Sequence, residues 1–187
     1  MQHQPLLVIS TRNAKKLGEM ETLLAPHGIE VRNLKNYPDA PEVEETGTTF
    51  AENAALKAGQ IAKFLGQWTI ADDSGLEVDA LDGRPGVYSA RYAGIDGDDE
   101  ANNNLLLKEL AEVPDAKRGA AYVCHLALAD PTGEIRLRRE ARCRGRILHE
   151  RQGAGGFGYD PLFLVAEYHR SFGLIGADLK NAISHRA

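Results

Sequence analysis

Sulfur, long apolar runs and positive charge are all scarce in this 187-residue chain. Only two cysteines occur, Cys124 and Cys143, too few for a disulfide framework, so reduced and buried thiols are expected. Cys124, His125 and Cys143 do not form a metal site, because their spacing is wrong and adjacent strand residues face opposite sides. No apolar stretch approaches the roughly 20 residues of a membrane helix. The N-terminal run Leu6–Ile9 meets polar Ser10-Thr11-Arg12 too soon for a signal sequence. A cytoplasmic protein with no membrane partner is the reading. The net charge of −5 argues against a nucleic-acid polymer as partner, which would call for a basic excess or patch. A small anionic substrate remains open, because a few lysines and arginines suffice to build a local positive pocket.

The 43% hydrophobic and 26% charged content is that of a soluble globular protein, and no linker divides it, so one domain over residues 1–187 is expected. Residues 6–9 read as a buried strand. Asn13 can cap a helix that carries Leu17, Met20, Leu23 and Leu24 on one face and ends near Gly28. Residues 29–34 read as a second strand. Thr49 and Glu52 have the spacing of a capping box for a helix that Gly66 stops. Residues 69–71 read as a third strand, residues 75–97 as loops, and Asp98 as the start of another helix. Residues 120–129 and 135 onward form a hairpin about the turn Asp130-Pro131-Thr132-Gly133. The opening β-α-β-α-β order predicts an α/β fold, and the hairpin makes its sheet mixed.

The run Ala71-Asp72-Asp73-Ser74-Gly75-Leu76 is the most informative. Adjacent carboxylates at a strand end repel one another, and a divalent cation is the simplest compensation. A plain Asp-Ser-Gly turn is the alternative. Ser10 to Lys16 lies where a strand turns into a helix, so backbone N–H groups, Thr11, Asn13 and two lysines make a phosphate cradle or a capped helix with solvated lysines. The loop holding Glu44 and Glu45 either completes a metal shell with Asp73 or is solvated, and Lys57 either pairs locally or reaches phosphate. The glycines at 153, 155 and 158 match a dinucleotide fingerprint in letters only, because Pro161 and the strand-like Leu162-Phe163-Leu164-Val165 follow where a helix should open. With Phe157 and Tyr159 inside it, this loop reads as a surface for a flat ligand or as a turn with two core aromatics. Lys180, Ser184 and Arg186 either point donors at an anion or a carbonyl oxygen or mark a frayed, exposed helix end.

Taken together and in order, these segments resemble the inosine/xanthosine triphosphate pyrophosphatase family. The matches are Ser10-Thr11 with Asn13, Lys16 and Glu19; Glu45-Thr46-Gly47 with Phe50, Glu52-Asn53-Ala54 and Lys57-Ala58; Ala71 to Leu76 with Val78 to Leu81; Gly83 with Pro85 to Arg91; Gly155 to Pro161; and Lys180 with Ile183 to Ala187. The resemblance implies an α/β fold with an elongated mixed β-sheet flanked by helices and two lobes with a central cleft. It also implies a homodimer and Mg²⁺-dependent hydrolysis of ITP, dITP or XTP to the monophosphate and pyrophosphate. Residue by residue, it makes Asp73 the proton acceptor and a metal contact, with Glu44, or Glu45 beside it, as the second. It gives Thr11, Arg12, Asn13, Ala14, Lys15, Lys16 and Ser74 to the phosphates, and Phe157, Gly158, Tyr159, Asp160, Lys180, His185 and Arg186 to the base and the rest of the substrate. Arg12 stands where the family often has glycine, which implies a first loop that is more basic or differently shaped. The chain also ends just after His185-Arg186, where the family usually continues as a helix, so Arg186 is expected to be less firmly held. A related hydrolase of dTTP and UTP, or a nucleotide-binding module without turnover, are the rival readings. His185-Arg186 and Phe157 argue against the first rival, and Asp72-Asp73 against the second.

Overall fold

The computed structural model describes residues 6–187, so residues 1–5 of the expected domain lie outside the described part. Seven strands form one sheet in the order β2-β1-β3-β4-β5-β6-β7. In chain order they are β1 (Leu6–Ile9), β2 (Glu30–Asn33), β3 (Thr69–Val78), β4 (Gly119–Ala129), β5 (Ile135–Ile147), β6 (Phe163–Val165) and β7 (Arg170–Ser171). The helices are α1 (Ala14–Leu24), α2 (Phe50–Leu65), α3 (Asp99–Glu109) and α4 (Ala177–Ile183). Strand β1 runs parallel to β2 and β3, with Leu6 opposite Glu30 and Val8 opposite Thr69. Pairing is antiparallel between β5 and β6 and between β6 and β7. The sheet is therefore mixed, as the hairpin predicted. No described helix is long and apolar enough to cross a membrane.

Local signals account for most element ends. The Asn13 side chain accepts from the backbone N–H of Lys15 and Lys16 and opens α1. Thr49 and Glu52 form the capping box of α2, and Gly66 closes it with φ at 62°. That is left-handed backbone, which glycine adopts without a Cβ penalty. Asp130 Oδ1 accepts from the Thr132 backbone N–H, the Thr132 hydroxyl and the Glu134 N–H, which fixes the β4–β5 turn.

Strand β3 departs from expectation. It runs ten residues through Asp72-Asp73-Ser74-Gly75 to Val78 instead of stopping at Ala71. Asp, Ser and Gly are turn formers by local propensity, but here cationic partners pair with one oxygen of each carboxylate inside the sheet and override that preference. Of the expected loops, only Gly75 to Val78 becomes strand; 3-10 turns at Asp79–Leu81 and Gly86–Arg91 follow.

The chain divides into two compact units. The first takes residues up to Asp73, with 124–141 and Arg186. Ile70 and the α1 residues Leu17 and Met20 pack with Ile9. Ala71 packs instead with Ala54, Ala58 and Ala62 of α2 and with Ala127 and Ala129 of β4. The three alanines let this part of α2 lie close to the sheet, and a Cβ at Gly59 would come within 3.0 Å of the Gly133 carbonyl. Neighbouring strand residues point to opposite faces. Asp72 therefore shares the α1 side with Ile70, and Asp73 shares the α2 side with Ala71.

The second unit takes residues 74–123, 142–185 and Ala187. Its core joins Leu76, Val78, Leu106, Leu110, Tyr122, Ile147, Leu162, Phe163 and Phe172. The Arg118 guanidinium is buried there. It donates to the carbonyls of Leu110, Val113, Ile147 and Leu148, joining the C-terminal end of α3 to the end of β5.

Candidate functional site

On the α2 side of the first unit, the Lys57 ammonium lies 2.9 Å from Asp73 Oδ1 and 2.9 Å from Glu45 Oε1. Asp73 is 6% exposed, and its second oxygen, Oδ2, is buried without a hydrogen-bond partner. Burial pushes the Asp73 carboxyl above its ordinary pKa, against the pull of Lys57 and Lys16. The cause is loss of hydration, to which the neighbouring Glu45 charge adds and which the two lysines only partly offset. For Lys57, burial works against the charge, but Asp73, Asp72 and Glu45 together outweigh it and its pKa rises. The result is a charged lysine beside a carboxylate with raised proton affinity.

The α1 side is a separate network. Asp72 Oδ2 accepts from Arg186 Nε at 3.3 Å and Nη2 at 3.2 Å, and Lys16 Nζ lies 3.4 Å away. Arg186 also donates to Glu19 Oε2 at 2.8 Å. Burial opposes the Arg186 charge, yet Asp72 and Glu19 raise its pKa. Arg186 is 8% exposed, so it is firmly held, contrary to the expectation raised by the end of the chain. The premise that two like charges crowd one point is also corrected. The strand sends them to opposite faces, where Asp72 pairs directly with Arg186 and Lys16 and Asp73 with Lys57.

The other first-unit positions line the start of α1. Thr11 Oγ1 accepts from the Asn13 N–H at 3.2 Å. Asn13 Oδ1 accepts from the Lys15 N–H at 2.9 Å and the Lys16 N–H at 3.1 Å. Arg12 reaches the Ala40 carbonyl at 3.0 Å and ties this loop to the segment before α2. Ala14 and Lys15 are exposed. Glu44 is exposed, and it is Glu45 that shares Lys57 with Asp73.

In the second unit Asp160 is the hub. It is 2% exposed. Oδ2 accepts from Lys180 Nζ at 2.7 Å and from the Phe157 N–H at 2.8 Å. Oδ1 accepts from the Tyr122 hydroxyl at 3.1 Å. The Lys180 ammonium stands 4.4 Å from the centre of the half-buried Phe157 ring. His185 is buried and stacks on Tyr122 at 4.8 Å. Tyr159 is a core residue whose hydroxyl donates to the Ser89 carbonyl. Burial pushes its phenol pKa upward, and any ligand contact there falls to the backbone. Gly158 and Ser74 are half-buried.

Sequence reasoning left Lys57 with two readings, and the structure makes it the bridge between Glu45 and Asp73. It gave Asp72 no separate task and passed over Asp99, Asn103 and Tyr122. The available signal for Asp99 and Asn103 was their spacing of four on a helix whose buried face, Asn102, Asn103 and Leu106, is mostly amide.

Among the described residues no three acidic, histidine or cysteine side chains gather as a metal cage. Mg²⁺ does not require one, since it retains waters and draws on one or two carboxylates plus substrate phosphates. The unpartnered Asp73 Oδ2, with Glu45 reached through the same ammonium, fits that need.

The Ham1 family model matches residues 7–187. A dITP/XTP pyrophosphatase of Rhodopirellula baltica is 54% identical over 181 residues, covering 97% of this chain and 87% of that protein. The solved structure of a HAM1 protein from Coxiella burnetii superposes with a TM-score of 0.89 at 38% identity, over 98% of this chain and 93% of that one. A nucleoside-triphosphatase, dITP/XTP pyrophosphatase, from Mycobacterium abscessus gives 0.80 at 44% identity, over 97% and 94%.

Proposed function

The chain belongs to the Ham1 family, and from that premise we propose that it hydrolyses non-standard purine nucleoside triphosphates such as dITP and XTP to the monophosphate and pyrophosphate. The observation that carries the reading is Asp73, a buried carboxylate with raised proton affinity and one oxygen left unpartnered. Such a group is a better base than an exposed aspartate at neutral pH. It takes a proton from the attacking water as the water oxygen bonds to the α-phosphorus. The bond from that phosphorus to the oxygen bridging to the β-phosphate breaks, and pyrophosphate leaves with the electron pair.

Lys16 and Lys57, with backbone N–H groups and side chains of Thr11 to Lys15 and with Ser74, stabilise the charge that develops on the phosphate oxygens. Arg12 adds a cation there, and Ala14 contributes its backbone. Asp73 and Glu45 would hold a Mg²⁺ ion, which supplies Lewis acidity toward the phosphates when bound; Glu44 is the weaker candidate because it stands away from Lys57. Phe157, Gly158, Tyr159, Asp160, Lys180 and His185 are assigned to the purine. Arg186 is assigned to anchoring Asp72 and Glu19 and to donating toward an oxygen acceptor of the base. Inosine and xanthosine carry an oxygen at position 6 where adenosine carries an amino group. Donors there pair with the oxygen and face the amino group unpaired, which discriminates strongly in a buried site. We further infer a cytoplasmic homodimer, as the family resemblance implies.

Pyrophosphate release from ITP, dTTP and ATP, with and without Mg²⁺, tests the reading. Preference for ITP with Mg²⁺ is expected. Preference for dTTP, or binding without release, would overturn it. Asp73→Asn should abolish turnover, and near-normal turnover in that variant would remove Asp73 from the role of base. The same variant should be more stable than the wild type near neutral pH in EDTA, because burial makes the Asp73 charge a net cost.

A further inference from the structure

Helix α3 buries the wrong kind of residue for a packing helix. Its buried positions are Asn102, Asn103 and Leu106. Asn103 is 3% exposed. Its Nδ2 donates to the Asp99 carbonyl at 2.6 Å and to the Gly158 carbonyl at 2.8 Å. Two carbonyl partners fix which end of the amide is nitrogen. The amide oxygen, Oδ1, is then left buried without a hydrogen-bond partner. That arrangement is costly, and a leucine would pack there without it. The amide is useful only for what its nitrogen holds.

What it holds is one residue of the glycine-rich loop, and α3 grips that residue twice. Asp99 Oδ2 accepts from the Gly158 N–H at 2.9 Å, while Asn103 donates to the Gly158 carbonyl. Asp99 and Asn103 are four apart, so one helical face presents an acceptor and a donor together. Gly158 has φ at 60°, a left-handed conformation that leaves both its backbone groups turned away from regular pairing. On the neighbouring residues, Asp160 holds the Phe157 N–H and places Lys180 under the Phe157 ring. The remaining buried amide, Asn102, donates to the Ala90 carbonyl and accepts from the Ala93 N–H.

We propose that Asp99 and Asn103 are positioning residues for base recognition: their two-point grip on Gly158 sets the height and tilt of the Phe157 ring and so decides which purine edge is accepted. This rests on the reading that the Phe157 loop meets the purine. The grip acts on the base end of the substrate and leaves the phosphate end untouched. Small misplacements of a positioned group are costly to specificity and rate.

The test compares Asn103→Leu, Asp99→Ala and Asp99→Asn with the wild type, each confirmed folded by circular dichroism. Steady-state kinetics with ITP and ATP and competitive inhibition by inorganic triphosphate are the readouts. Asn103→Leu and Asp99→Ala should raise KM for ITP and lower the ITP-to-ATP ratio of kcat/KM by about tenfold, equivalent to about 1.4 kcal/mol. The inhibition constant for triphosphate should stay within about twofold, a change of under about 0.5 kcal/mol. Asp99→Asn keeps an acceptor for the Gly158 N–H and should restore most of the ratio. A purely structural role would lower the melting temperature and leave the ratio intact, and that result overturns the proposal. Should Asn103→Leu fail to fold, the Asp99 pair decides alone. A wild type without preference for ITP would overturn the proposed function and the grip together. A wild type with that preference and variants that share it would overturn the grip only.

Discussion

Replacing Lys57 with methionine keeps the length of the side chain and removes its ammonium. In the native structure that ammonium sits 2.9 Å from both Asp73 and Glu45. Its loss leaves two carboxylates facing the same space with no cation between them. Breaking a buried ion pair by removing one partner costs about 3–5 kcal/mol. The Glu45 side chain is 30% exposed, so water screens its share and the lower end, about 3 kcal/mol, applies. For a chain of this size each kcal/mol moves the melting temperature by about 2–4 °C, giving a drop of about 6–12 °C. The pH dependence fixes the origin of the loss. The Lys57 pKa is raised above the ordinary 10.5 by the charges of Asp73, Asp72 and Glu45, so its contribution is whole below 10.5 as long as those acids are ionised and is lost as pH climbs through the folded value. Asp73 runs the other way. Its folded pKa lies above the ordinary 3.8, so its ionisation costs stability as pH rises through that range, and without Lys57 the cost grows. The gap between variant and wild type should be small near pH 4, open as pH rises and close again in strong alkali. Urea melts in EDTA at several pH values measure it. Millimolar Mg²⁺ should return more stability to the variant than to the wild type, since a metal ion can take the place of the missing charge. Equal urea midpoints for the two proteins at pH 8 in EDTA would refute this account.

Three further outcomes follow from the packing. Arg118→Lys should destabilise the fold by about 3 kcal/mol, because one ammonium cannot reach the four carbonyls that the guanidinium serves and hydrogen bonds from a charged group are worth about 1.5–3 kcal/mol each; thermal melts measure it. Gly75→Ala should lower stability more than an exposed glycine-to-alanine change, because its Cβ would fall 2.7 Å from the Gly86 carbonyl and against the Ser89 hydroxyl; a melting temperature equal to the wild type would contradict the geometry. Both thiols should be silent to a thiol reagent at pH 8 in the native protein and react after denaturation, since burial pushes the Cys124 thiol up to about 12 and the Cys143 thiol up to about 11. One fast equivalent in the native state would contradict this.

The parts of this molecule that were legible in the sequence are those governed by near neighbours. Asn13, Thr49 with Glu52, Gly66 and the Asp130 turn act within four or five residues, so their outcomes could be read from spacing alone. Strand β3 was misjudged at Asp72 because its continuation depends on Lys16, Lys57 and Arg186, which lie 56, 16 and 114 residues from the acids they pair with. The same distance hid the division of labour between the two acids. Side-chain alternation along a strand is a local rule, but its consequence needs the knowledge that α1 covers one face and α2 the other. Once those faces are known, the adjacent carboxylates stop being a pair. Asp72 is paired with Arg186 and Lys16, which ties the end of the chain to the start of α1. Asp73 shares the Lys57 ammonium with Glu45, and burial outweighs the pull of its lysines and raises its proton affinity. If Asp73 is the base proposed above, substitutions that change the positive charge near it on the α2 side should shift the acid limb of the rate profile without touching Asp73 itself.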